Sequence, residues 1–110
     1  MHEVDFYYDK TGKPISVGNW LKLFRDKEYQ VVASETLIDV NISTVWLGLN
    51  HAFSPNHIMI FETMVFGGRL NGECQRYATL ERAEEGHLIM VEKVLESQIL
   101  PSYGSNVDVG

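Results

Sequence analysis

Val40-Asn41-Ile42-Ser43-Thr44-Val45-Trp46-Leu47-Gly48-Leu49 is the stretch on which the architecture turns. Successive side chains of an extended chain point to opposite faces, so Val40, Ile42, Thr44 and Trp46 share one face. Asn41, Ser43, Val45 and Leu47 share the other, which makes the second half apolar on both sides. β-Branched and aromatic residues favour a pleated surface, and the pattern predicts a central strand over Val40 to Leu49. Upstream, Tyr29 to Ser34 reads as a second strand, with Leu37-Ile38-Asp39 as the turn between the two. Downstream, Gly48 through Asn56 reads as a loop and His57 to Phe66 as a third strand that Gly67-Gly68 ends. Asn71-Gly72 then supplies a turn, and Glu73 to Tyr77 returns as a short fourth strand. Short connections between consecutive strands predict a four-stranded antiparallel meander.

Helical spacing flanks this run on both sides. Val17, Trp20, Leu21 and Phe24 recur at i, i+3, i+4 and i+7 behind Ser16, a good N-cap, and predict a helix from Val17 to Lys27. Before it, Tyr7-Tyr8-Asp9 and Pro14-Ile15 enclose an Asp-x-x-Gly turn ending at Gly12, and read as an edge hairpin. After the strands, Thr79 stands as N-cap to a second helix whose stripe is Leu80, Ala83, His87, Met90, Val91, Val94 and Leu95. Pro101 predicts its end, with residues 102–110 as a flexible tail. The expectation is one α+β domain over residues 1–101: an N-terminal edge hairpin, a helix, the meander and a C-terminal helix, packed in two layers.

Composition narrows the function. Of 110 residues 45% are hydrophobic and 22% charged, enough for one core without staples. Cys74 is the only cysteine and has no partner within the chain, which suits a reducing, cytoplasmic setting. The start, Met1-His2-Glu3-Val4-Asp5, lacks the basic and apolar regions of a signal peptide, and no apolar run approaches the ~20 residues of a membrane span. Net charge is −6, and from Glu28 to Gly68 there is no Lys or Arg, so that segment does not track a phosphate backbone. Neither nucleic acid nor membrane is expected as a partner. An acidic surface serves solubility or a basic protein partner.

Chemistry-bearing residues are few. His2, His51, His57 and His87 lack zinc-site spacing, so no metal is assigned and no cofactor is expected. His51 and His57 bracket one loop, as exposed histidines or as part of a binding surface with Trp46 and Phe53. His87, beside Gly86, lies on the apolar stripe of the last helix, as a packed core-edge histidine or as a general base. The glycine costs a helix about 1 kcal/mol relative to Ala, which close packing against a strand is expected to offset. Glu62 interrupts an apolar strand and by alternation shares a face with Ile58, Ile60, Met64 and Phe66. It is either paired with Arg69 or Arg76 on an outward face or a functional carboxylate. Glu62 and His87 are thus the catalytic candidates, and an acid–base couple requires that they meet. Cys74 reads as a buried, inert thiol. No nucleophile elbow, phosphate loop or dinucleotide fingerprint is present.

Tyr7-Tyr8-Asp9-x-x-Gly12-x-Pro14-Ile15-Ser16, Ser43 to His51 and Ile60 to Gly68 resemble segments of small uncharacterised proteins encoded by bacteriophages and their bacterial hosts. Tyr77-Ala78-Thr79 through Gly86-His87 is similar too, so the likeness covers about Tyr7 to Val94. The resemblance implies phage origin and action inside a host cell, and carries no catalytic residue. With no catalytic constellation and a surplus of aromatic residues in Tyr7, Tyr8, Trp20, Trp46 and Phe53, the expectation is a non-catalytic protein-binding module, an inhibitor or modulator of host machinery or a self-associating protein. The alternative is a small ligand- or metal-binding protein or enzyme using Glu62 and His87.

Overall fold

The computed structural model describes residues 7–50 and 58–109, with side chains described through residue 99. In chain order the elements are α1 (Val17–Phe24), α2 (Lys27–Gln30), β1 (Val31–Leu37), β2 (Val40–Trp46), β3 (Phe61–Phe66), β4 (Cys74–Tyr77) and α3 (Leu80–Val109). The four strands form one antiparallel sheet in the order β1-β2-β3-β4. This is the expected α+β arrangement, with β2 central.

Boundaries moved where local side-chain hydrogen bonding outweighed periodicity. Ser16 caps α1 by accepting from the Asn19 N–H, as expected, but α1 stops at Phe24. The Asp26 carboxylate accepts from the Glu28 and Tyr29 N–H groups and starts the separate turn α2, which moves the start of β1 from Tyr29 to Val31. Trp20, Leu23 and Phe24 pack inward from α1, while Val17 and Leu21 are exposed. The N-terminal hairpin forms, with Tyr8 bridging Pro14 and Tyr7 bridging Leu49. The Asp9 carboxylate accepts from the Thr11 and Lys13 N–H groups and from the Thr11 hydroxyl inside that turn. Thr79 Oγ1 accepts from the Arg82 N–H and so caps α3. The α3 backbone stays helical past Pro101 to Val109, beyond the end that the proline predicted.

β2 alternates buried and half-buried along its whole length. Its buried face continues across the sheet through the register pairs Ile42–Val65, Thr44–Thr63 and Trp46–Phe61. α3 packs over this face and contacts all four strands. The core has two apolar clusters. One gathers Tyr8, Trp46, Ile60, Phe61 and Ala83, and the other Val40, Ile42, Val65, Met90 and Val94. The opposite face carries Asn41, Ser43, Glu62, Met64, Cys74 and Arg76, following the same register.

Candidate functional site

Between the two apolar clusters lies a buried polar layer, with one residue from each of three elements. On β2 Thr44 stands between Ile42 and Trp46, on β3 Thr63 stands between Phe61 and Val65, and on α3 His87 stands between Ala83 and Met90. Thr44 Oγ1 shares hydrogen bonds with Thr63 Oγ1 at 2.5 Å and with His87 Nδ1 at 2.7 Å. A buried polar group left unpaired costs about 1–3 kcal/mol, and these bonds satisfy the two hydroxyls and His87 Nδ1. The chain of contacts continues at both ends. Tyr77 hydrogen-bonds with Thr63, and burial pushes the Tyr77 phenol up, with the Thr63 bond acting in the opposite direction. At the other end His87 Nε2, which has no hydrogen-bond partner, faces Glu35 Oε1 at 3.6 Å.

Glu62 does not belong to this layer. Its register partner is Val45, whereas Thr63, the next residue along, shares the His87 face, so Glu62 and His87 lie on opposite faces of the sheet. Glu62 Oε2 instead accepts from Arg76 Nε at 3.2 Å and from the Cys74 thiol at 3.0 Å. The acid–base couple therefore does not form. His87 is 2% exposed and enclosed by packing. Cys74 is exposed, contrary to the expectation of burial. Its thiol is inert for another reason: partial burial, then the hydrogen bond and negative charge of Glu62, push it up to about 11.

The binding residues expected from sequence separate as well. Trp46 is fully buried, its indole N–H donating to the Tyr8 carbonyl and its ring packed edge-on against Tyr29, so it is a core residue. Its place on the apolar side of the β2 alternation accounts for this. His51, Phe53 and His57 lie outside the described residues. Among the described residues no group of three His, Cys, Asp or Glu side chains could hold a metal ion. Also among these, no helix is long and apolar enough to cross a membrane.

A groove of about 610 Å³ opens at the β4 edge of the sheet. One wall is residues 75–79, the end of the edge strand and the link to α3. The other is a single face of α3, on which Arg82, Gly86, Ile89, Met90 and Lys93 follow helical spacing. Met59 and the Tyr77 ring add apolar surface. Gly86 is what lets α3 come this close, because a Cβ there would collide with the Tyr77 ring. The offsetting contact expected for this glycine is therefore present, against a strand residue. Val65 N–H donates to the Glu73 carbonyl and Ile60 N–H to the Tyr77 carbonyl, so odd-numbered β4 residues bond inward. By alternation the backbone groups of Cys74 and Arg76 turn outward, and β4 has no second neighbour among the described strands.

Four Lys or Arg residues follow Gly68, namely Arg69, Arg76, Arg82 and Lys93; Arg82 and Lys93 line the groove from α3 with one acid, Glu85, whereas Arg76 borders it from β4 with its side chain on the opposite face of the sheet. Arg76 pairs with Glu62, and Lys93 pairs with Glu73 at 2.8 Å. Arg82 has no acidic partner within ion-pair distance among the described residues. No family model, no curated protein and no solved structure matches this chain.

Proposed function

We propose that this chain is a non-catalytic protein-binding module whose binding site is the groove between the β4 edge and α3. The observation that carries the reading is the groove itself, which joins an outward-facing strand edge to exposed apolar and cationic side chains. Ile89 at its rim is 59% exposed and adds apolar surface beside Met59 and the Tyr77 ring. Polar edges with an apolar floor are the composition of a recognition site, and Tyr and Arg are enriched in such sites. The candidate acid and base lie on different faces, which weighs against the enzyme reading. Action inside a host cell as a modulator of its machinery belongs to the same proposal. It rests on the sequence alone, in which a lone cysteine suits a reducing compartment.

A photo-crosslinking residue placed at Gln75 or Ile89, and in a second protein at Asn41 on the opposite face, tests the site. The expected result is a defined protein adduct from the groove positions only, lost on Arg82→Glu. Adducts from Asn41 alone, or none from the groove, overturn the proposal.

A further inference from the structure

The buried layer is a run of hydrogen bonds whose direction a single proton decides. We infer that His87 is a pH switch: when neutral it draws every hydroxyl of the layer toward itself, and when protonated it reverses them and turns the Tyr77 hydroxyl proton outward, toward the groove that this ring lines. The starting observation is His87 Nε2, the one buried side-chain nitrogen or oxygen among the described residues with no hydrogen-bond partner. It faces Glu35 Oε1 at 3.6 Å, too long for a hydrogen bond and within reach of an ion pair. A neutral ring turns its N–H, not its lone pair, to a carboxylate, which makes Nε2 the protonated nitrogen and Nδ1 the acceptor. Thr44 then donates to Nδ1, Thr63 to Thr44 and Tyr77 to Thr63, so each hydroxyl donates once. In the imidazolium Nδ1 is a donor as well. Thr44 must accept from it, so Thr44 donates to Thr63 and Thr63 to Tyr77, and the phenol keeps its own proton for a partner outside the layer.

Few titratable groups face this ring. α3 packs against the four strands and against neither α1 nor α2. β1 contributes Glu35, β2 and β3 contribute only the hydroxyls of Thr44 and Thr63, and β4 contributes Tyr77. On α3 itself Glu84 stands one turn earlier and is exposed. Glu35 is thus the counter-charge that the protonated ring meets, and histidine is the side chain that ordinarily changes charge between about pH 5 and 8.

The test is NMR of the full 110-residue chain labelled in histidine and tyrosine, followed between about pH 5 and 8 with the fold checked by circular dichroism. Expected at the upper end is the Nε2–H tautomer of His87, read from its ring nitrogen shifts. On acidification the Tyr77 ring signal moves in step with that of His87. Thr63→Val and, independently, Thr44→Val interrupt the run of hydroxyls, so that His87 still titrates and the Tyr77 response is lost. Thr44→Ser keeps a hydroxyl at the first link and keeps the response. A His87 ring that holds one charge state throughout, an Nδ1–H tautomer at the upper end, or a Tyr77 response that survives both valine variants overturns the switch. The readout needs no partner, so this result and the crosslinking result at the groove stand or fall separately.

Discussion

Gly86 sits in the middle of a helix, where alanine is ordinarily better by about 1 kcal/mol. Here the sign reverses, because the added methyl meets the Tyr77 ring. Gly86→Ala is expected to lower stability by about 1–3 kcal/mol in denaturant unfolding, and Tyr77→Leu in the same chain to recover part of the loss. Cys74 gives a second check. With its thiol near 11, alkylation at pH 7 is expected to be slow and to rise about tenfold per pH unit up to that value. Glu62→Gln removes a charge and an acceptor that raise the value, so it is expected to speed alkylation at a fixed pH. Because the folded value lies above the ordinary 9.0, the thiol favours the folded state below pH 9, and this contribution is lost as pH rises toward 11. At this scale the oddity of Gly86 was visible in the spacing, as were the face that Thr44 shares with Ile42 and Trp46 and Arg76 as one of two partners for Glu62. Glu35 as the group facing His87 was not, since one residue's neighbour across a sheet depends on register.

Among the elements, the β1–β2 hairpin carries an avoidable strain. Its turn holds Ile38 at φ 58°, a left-handed conformation unfavourable for a β-branched residue, and the side chain is 81% exposed. Ile38→Gly is expected to stabilise the protein by about 1 kcal/mol, measured as a higher denaturant midpoint at unchanged slope. The polar layer makes the opposite prediction for β2. Thr44→Val leaves His87 Nδ1 without a partner and Thr63 with Tyr77 alone, and is expected to cost about 1–3 kcal/mol by the same measurement. Strand identities were legible because alternation is strong in β2 and β3. The division of α1 from α2 was not, because a single carboxylate at Asp26 decided it. The groove was missed because it belongs to no element: it arises where an edge strand meets a helix face, and its sequence trace is Ile89, an apolar residue off the buried stripe of α3.

For the molecule as a whole, fold class and strand order followed from short connections and period changes, which are local properties. The site did not follow, because the residues singled out in the sequence carry chemistry, whereas the groove is defined by where the β4 edge meets one face of α3. Among the described residues every strand pairs with its neighbour in sequence, so these four strands all precede α3 along the chain. On the ribosome, then, the sheet emerges with Ile42, Phe61 and Val65 uncovered, and synthesis of the last helix is what closes the core. A chain released after Thr79 is expected to be retained by chaperones or to aggregate, measured as loss of soluble monomer. Supplying residues 80–109 as a separate peptide is expected to restore solubility. Arrest of translation near this point would therefore present the cell with an open, adhesive sheet rather than with a shortened version of the working protein.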